Sequence, residues 1–559
     1  AFVIPKNTKI GKDIFIPGKC IEGYREGAMV AVKILKWEGK NPEGRIIEIL
    51  DDIPEGRRDI YEIAFEMGAR KSFWERVKAE VAKLQNPDLS DLQKSQRVDM
   101  RYLLSYTIDG AESKDLDDAL SIEQTDNWYR LFVHIADVAE YVRENSGLDR
   151  EARKRATSIY LVDQVIPMLP PEISNGLCSL HPWEPKYTMT CEMDIDTRWQ
   201  LRSAKVYESV IESDYRLTYR EIDEILSWDM NLDDELQFWK TLSSDLQKNI
   251  FLLKELSSIL EQQAVSRGSL DFDFPETKIV LDEAGVPLEY KEYERYDSYK
   301  IIEVCMVLAN ESVGKLFSKI PFLYRVHEEP DEEDIEKFLK LLESIDISET
   351  RTEFKAEHLS PRDVQSLLGY LQSYESLEWL QKLVLRTMKK AAYSEKNIGH
   401  FWLALTHYSH FTSPIRRYSD LQIHRIIKEM LKKKLTPEKK QHYKEILPQV
   451  ARICSEKSDK AEKMEYRVRD MLACKYMADK VWERFAGKIS GVSEKGFFVE
   501  LPNTIEGFVD ISSLPYIWLK ESFCLVHQKT WEELRFWGRV EVELKSVDLE
   551  RYRLEFILL

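Results

Sequence analysis

The stretch "TIDGAESKDLDDAL" at 107–120 places carboxylates at Asp109, Glu112, Asp115, Asp117 and Asp118, between an apolar approach and an apolar exit. Hard divalent cations take oxygen ligands, and Mg²⁺ commonly binds through a few carboxylates together with a substrate phosphate. The spacing D-x5-D-x-D-D cannot share one face of a helix or strand. On a strand the adjacent Asp117 and Asp118 would point to opposite sides. A turn at Gly110 could instead fold Asp109 back towards the later three. Carboxylates gathered in this way would repel one another, and partial burial by "LLSYTI" and "ALSI" would raise the cost. A divalent-metal site explains the pattern economically; a solvated acidic turn is the alternative that spacing alone leaves open. A calcium loop of EF-hand type needs Gly at its sixth position, and a register started at Asp115 puts Leu120 there.

A second stretch, "HYSHFTSPIRRYSDLQIHRIIKEML" at 407–431, is rich in arginine. Ser413-Pro414 can open a helix carrying Arg416, Arg417 and Arg425, since Pro is tolerated in a first turn and an upstream Ser or Thr can cap it. Guanidinium groups at a helix N-terminus favour phosphate through exposed amides and through bidentate pairing. Salt bridges to neighbouring acids would use the same arginines, and this stretch alone does not choose.

The elements that must position these groups can be sketched from pattern. At 559 residues, with 43% hydrophobic and 32% charged residues, the chain has material for several folding units around ample cores. The first fifty residues read as short strands ("MVAVKIL", "GRIIEIL") broken by Gly, Pro and Asn, which suits a small β-barrel over 1–55. A helical connector, 56–96, includes "FWERVKAEVAKLQ" and a Pro stop. Residues 97–480 form a large mixed α/β body, with strand-like "WYRLFVHIADVAEYV" and "YTMTCEMDID" and helical patterns at 236–265 and 298–319. From 481 to 559 the β pattern returns, with glycines at 487, 491, 496 and 507, and suggests a five-stranded OB-type barrel. The fold class is therefore multidomain α+β, a central α/β body between two OB-type barrels.

No run approaches eighteen uninterrupted apolar residues, so no membrane span is expected. The N-terminus lacks the apolar core of a signal peptide. Seven scattered Cys without a C-x-x-C pair argue against a disulfide framework or a zinc site and fit a reducing cytoplasm. The formal charge of −17 argues at face value against a polyanion partner. Residues 1–50 nevertheless hold nine Lys/Arg against six Asp/Glu, and 410–470 hold sixteen against nine. The latter zone fits either a binding channel or a solvated helix face.

Together these residues resemble the ribonuclease II / ribonuclease R (RNB) family of exoribonucleases, and more closely the bacterial ribonuclease R branch. "TIDGAESKDLDDAL" is similar to that family's catalytic signature and "HFTSPIRRYSDL" to its second one. "HIADVAEYV", "IPMLPPEISNGLCSL", "IIEVCMVLANESV" and "LYRVHEEPD" match further stretches in family order. The N-terminal barrel resembles the family's second cold-shock domain and the C-terminal one its S1-type RNA-binding domain. The resemblance implies a processive, Mg²⁺-dependent 3′-to-5′ exoribonuclease, a monomer that acts on single-stranded RNA and releases nucleoside monophosphates. By position, Asp109, Asp115, Asp117 and Asp118 would hold the metal, with Asp117 the least dispensable. Arg416 would hold the scissile phosphate, with Arg417 beside it on the RNA. Tyr160 would clamp the terminal base, a Glu near 462–465 (Glu465 in the register adopted) would complete the site, and Glu303 would contact the terminal ribose. Phe498 would meet RNA from the C-terminal barrel. Two metals about 3.5–4 Å apart suit an in-line displacement at phosphorus.

The pattern departs from the family in three places. One cold-shock domain is legible where members carry two, and the chain starts without Met, which points to a domain removed upstream. Trp402 stands where Gly is common. The chain ends at "RLEFILL" without a Lys-rich tail, which leaves duplex unwinding open. A catalytically silent RNA-binding protein, a Mg²⁺-dependent endonuclease or DNA nuclease, and a plain metal-binding scaffold are the competing readings.

Overall fold

The computed structural model describes the whole chain except residues 7–9, 19–20, 22–24, 38–39, 51–52, 88, 90–95, 126–127, 228–242, 271–276, 293–295, 345–358, 373–377, 513 and 520–523. Part of the helical pattern expected at 236–265 thus lies outside the described residues. The rest of it is the helix Ser244–Arg267, capped by Ser243, whose side chain accepts from the Leu246 amide.

The central body is built on a seven-stranded sheet. Its spatial order is Tyr215–Thr218, Tyr106–Asp109, Asp118–Gln124, Trp128–Ala136, Pro185–Asp196, Leu201–Glu212 and Val98–Asp99. The five middle strands pair antiparallel, and the two edge pairs, Tyr215–Thr218 on Tyr106–Asp109 and Val98–Asp99 on Leu201–Glu212, are parallel. "LFVHIA" is buried residue after residue rather than alternately, as expected of a strand covered on both faces. The helices Ser244–Arg267, Asp297–Leu316 and Tyr418–Leu431 supply that cover. Leu131, Val133, Ile135, Met189, Cys191, Ile301, Cys305 and Ile423 meet in the resulting core. Strand Tyr106–Asp109 ends and strand Asp118–Gln124 begins at one end of the sheet, with Tyr106 opposite Leu120. The acidic loop is the connection between them.

A helix of 41 residues, Pro437–Met477, runs from this body towards the C-terminal barrel; Thr436 caps it and Pro437 occupies its first turn. The Lys-rich connection expected between helices is the segment 432–436. The C-terminal barrel is closed, in the order Arg484–Ser493, Gly496–Glu500, Glu506–Asp510, Arg553–Leu558, Arg539–Asp548. Gly496 makes its first hairpin: φ is +152°, and a Cβ there would lie 2.0 Å from the Val509 carbonyl oxygen. The sequence pattern did not anticipate the three-stranded sheet Tyr516–Leu519, Cys524–His527, Glu533–Arg535 inserted into the barrel's path. The described strands of the N-terminal barrel are Phe2–Val3, Ile14–Phe15, Glu43–Ile49 and Val30–Lys36, in that order. The helices Glu55–Glu66 and Glu75–Val81 follow. Among the described residues no helix is long and apolar enough to cross a membrane.

A buried ionic knot ties the sheet to helix Tyr418–Leu431. Asp137, Glu140 and Glu208 surround Arg97 at 2.6, 2.9 and 3.3 Å and Lys428 at 2.6, 2.6 and 3.1 Å. Burial alone would raise the Asp137 pKa, but Lys428 and Arg97 reverse this and hold the carboxyl well below its ordinary range. A depressed carboxyl adds stability above its unfolded pKa, near 4, and loses it as pH falls through the folded value. Asp137→Asn should therefore destabilise the central body by about 3 kcal/mol near neutrality. The gap to the unsubstituted protein should close as the pH is lowered below about 4, read by calorimetric melting.

Candidate active site

Asp109 closes the strand Tyr106–Asp109, Asp118 opens the next strand, and Asp115 and Asp117 lie in the loop between. Because Asp117 precedes the strand, it is free of the alternation that would set it opposite Asp118. The loop is fixed from outside. Arg216 donates to the carbonyls of Ala111 (3.1 Å) and Ser113 (2.6 Å). Ser179 donates to the Lys114 carbonyl at 2.9 Å and accepts from the Leu116 amide at 3.0 Å. The Ala136 amide donates to the Asp117 carbonyl at 2.9 Å.

The arginine stretch arrives from the opposite side. The expected helix start at Ser413 needs correction: residues 414–416 form a turn and the helix begins at Tyr418, so Arg416 and Arg417 precede it and only Arg425 lies on it. The reason is where the backbone groups go. The Ser413 amide donates to Asp420 (2.9 Å), the Ile415 amide to Asp117 Oδ1 (2.9 Å), and the Arg416 carbonyl accepts from the Ser158 amide (2.9 Å). Tertiary partners hold this segment as a turn. Arg416 Nε consequently stands 3.7 Å from Asp117 Oδ2, on a side chain that is 43% exposed.

Burial and geometry make the acids a source of unneutralised charge. Burial, then Asp118, Asp117 and Asp115, push the Asp109 carboxyl up to about 9 against the pull of Arg416. Burial raises Asp118 to about 6, with Arg416 and Arg417 opposing. Asp117 is also raised by burial, against Arg416 and the Ile415 amide. Asp109 Oδ2 is buried and, among the described residues, without a hydrogen-bond partner. An all-oxygen donor set with an orphaned carboxylate oxygen fits a hard divalent cation. The four acids do not close into a single tight shell, however. Among the described residues, only Asp137, Glu140 and Glu208 bring three ligand atoms within 4.8 Å of one another, and there Arg97 and Lys428 already fill a cation's place.

The other expected residues divide. Tyr160, 42% exposed, donates its hydroxyl to Asp115 Oδ2 at 3.3 Å and so stands beside the acids with its ring open to solvent. Arg417 turns inward onto Asp420, with Nη2–Oδ1 2.7 Å and Nε–Oδ2 3.0 Å. This places it under the turn rather than on an open face. Arg425 is buried against Asp149 at 2.7 Å. Glu303 is exposed on helix Asp297–Leu316, 3.6 Å from Lys300. Glu465 pairs with Arg469 at 3.0 Å and Glu462 with Lys390 at 2.7 Å, both on surface flanks of the long helix. Phe498 is 40% exposed on the C-terminal barrel, 5.0 Å from the Phe508 ring. Trp402 packs partly buried, 6.0 Å from the His327 ring.

Sequence reasoning missed Arg216, Ser179 and Tyr219. Tyr219 heads the helix Tyr219–Leu226, stacks on Tyr299 at 4.0 Å, and lies near enough for Asp109 and Asp118 to help burial raise its hydroxyl pKa. The capping box Thr218–Glu221 was a readable signal for that helix start. Nothing local marks Arg216.

A sheet-borne cluster of acids facing an arginine, between β-barrels, is suited to phosphoryl transfer of the nuclease class. Likeness to known proteins gives the family. The RNB domain model matches residues 97–433, the cold shock domain 2–73 and the S1 RNA binding domain 479–555. Ribonuclease R of Thermotoga maritima is 36% identical over all of this chain and 78% of its own length. Ribonuclease R of Escherichia coli is 36% identical over all of this chain and 69% of its own. Mycoplasma genitalium RNase R, solved with ribose-methylated single-stranded RNA, superposes at TM-score 0.86 and 28% identity, covering 99% of this chain and 86% of that one. The chain belongs to the RNB family of 3′-to-5′ exoribonucleases, in its ribonuclease R branch.

The raised carboxyls set a pH dependence. An acid whose folded pKa is raised destabilises the fold as pH climbs from its unfolded value to the folded one. In EDTA, the melting temperature of Asp109→Asn should therefore exceed that of the unsubstituted protein by a margin that grows from about pH 5 to about pH 9. Added Mg²⁺ should narrow the margin, as scanning calorimetry would show.

Proposed function

We propose that the chain hydrolyses single-stranded RNA processively from its 3′ end to nucleoside 5′-monophosphates, with Mg²⁺ held by Asp109, Asp115, Asp117 and Asp118. The observation that carries this reading is Arg416 standing 3.7 Å from Asp117 while the surrounding acids lack enough cations of their own. Bound there, two Mg²⁺ ions would acidify a water and stabilise charge at the reacting phosphate.

The chain's own residues do the positioning. The Ile415 amide fixes one oxygen of Asp117 and leaves the other towards Arg416. Arg416, tied through its carbonyl and half exposed at its head, offers donors to the scissile phosphate as charge builds there. Tyr160, tethered to Asp115, presents a ring on which any unpaired base can stack, which makes the hold sequence-tolerant and selects unpaired 3′ ends. Phe498 beside Phe508 offers a second stacking surface on the barrel. Glu303, on the helix that also carries Cys305 near Asp118, is proposed for the terminal ribose, and Glu465 for the approach along the long helix. Arg417 acts through Asp420, as a positioning residue.

The test uses 5′-labelled single-stranded RNA and a matching DNA with Mg²⁺. The RNA should collapse to a short labelled core without long intermediates, and the DNA should survive. EDTA and Asp117→Asn should each abolish the reaction. RNA bound but never shortened would instead establish a silent RNA-binding protein, and internal cuts persisting in the variant an active site elsewhere. Arg416→Ala should lower kcat on the order of a hundred- to a thousandfold. Tyr160→Ala should weaken RNA binding by roughly 1–3 kcal/mol, measured in EDTA by anisotropy.

A further inference from the structure

Behind the strand that carries Tyr160 lies a cavity of about 60 Å³, walled by the N-terminal connector, residues 151–167 and the long helix. That is room for roughly four waters, or for one tetrahedral oxyanion. Lys154, Lys457 and Lys460 line it, and among the described residues none of them has an ion pair or side-chain hydrogen bond. Arg70, also lining it, stacks on Trp74 at 4.2 Å, and among the described residues its buried Nε has no hydrogen-bond partner. The one carboxylate in the wall, Glu151, is already taken by Arg155 at 3.1 Å. Arg155 spends its remaining donors on the carbonyls of Arg70, Ser72 and Pro167. Burial, then Lys460 and Lys154, lower the Lys457 pKa against the opposing pull of Glu456. A chain of net charge −17 has thus left this concavity cationic. Ile159, Ile166 and Met464 give the cavity apolar walls, while Lys457 is half-buried and Lys154 and Lys460 reach it from the exposed side.

We infer that this cavity is a phosphate-binding site, distinct from the acid cluster, in which Lys154, Lys457, Lys460 and Arg70 receive a phosphoryl oxyanion. Its place in the fold gives it a connection to the reaction. Thr157, in its wall, bridges antiparallel to Arg417 and donates its hydroxyl to the Arg416 carbonyl at 3.3 Å. An anion here therefore lies one strand from the turn that aims Arg416. The phosphate has two possible sources, the backbone of the RNA substrate or free phosphate and mononucleotide. The RNA source rests on the proposed function; the free-phosphate source does not.

The experiment measures binding in EDTA, so the reaction plays no part in it. Inorganic phosphate is titrated calorimetrically, and labelled single-stranded RNA by anisotropy across a salt series. Two variants are compared with the unsubstituted chain: Lys457→Gln with Lys460→Gln, which removes charge, and Ala461→Met, which fills the cavity without changing charge. Melting temperatures should stay unchanged, and Lys457→Arg with Lys460→Arg should retain binding. A tenfold or larger loss of RNA affinity in both variants, with the salt slope falling by about 0.7 for each phosphate no longer neutralised, assigns the site to the RNA backbone. Loss of phosphate affinity alone assigns it to free phosphate or mononucleotide. If neither ligand's affinity changes in either variant, the inference is overturned.

Discussion

One hydrogen bond carries the arrangement of the active site: the Ile415 amide on Asp117 Oδ1, joining positions 298 residues apart in sequence. It is made in the buried interior, where an unmet partner on either side costs the full desolvation of that group. The arginine turn can reach Asp117 only because its other backbone groups are met by the Ala156–Ser158 segment and by Asp420. The acidic loop can receive it only because Arg216 and Ser179 hold the loop's carbonyls. Arg416 therefore has its place from long-range contacts. It reaches the acids only once the sheet and helix Tyr418–Leu431 have packed.

Two acidic clusters in this body show how context decides what a carboxylate does. Asp137, Glu140 and Glu208 lie closer together than the four aspartates of the loop. Geometry alone would make them the better metal site, yet two cations of the chain stand among them and Lys432 adds a third contact, to Glu208 at 3.0 Å. Their charge is spent on fastening helix to sheet. Asp117 is buried and Asp109 and Asp118 half-buried, with the half-exposed Arg416 beside them, and their pKa values rise as a result. Carboxyls raised in this way work against folding as they ionise, and the large apolar core beneath them is what tolerates the strain.

What the sequence made legible follows the range of the forces involved. The glycine at 496 and the alternation around it disclosed the C-terminal barrel because hairpin chemistry is local. The acidic spacing disclosed a loop of mutually repelling carboxyls because repulsion between near neighbours is local too. The sheet order, the clamp by Arg216 and the inward turn of Arg417 were not legible, since each depends on a partner that only folding brings near. The helix start misread at Ser413 is the plainest case: Ser-Pro is a sound local signal, and tertiary hydrogen bonds overrode it.

Charge counting is limited for the same reason. The surplus of basic residues over 410–470 left a binding channel and a solvated helix face both open, and in the fold Arg417, Arg425, Lys428, Lys463 and Arg469 each close on an acid. A paired cation presents little field to a ligand, so the surplus says less than its distribution. What a polyanion can use is the remainder that folding leaves unpaired and partly enclosed. Among the described residues of this zone Lys457 and Lys460 are unpaired and face the cavity behind Ile159, and Arg416 is held only loosely, 3.7 Å from Asp117. Arg416 and the cavity lie on opposite sides of one short strand, and Thr157 touches both.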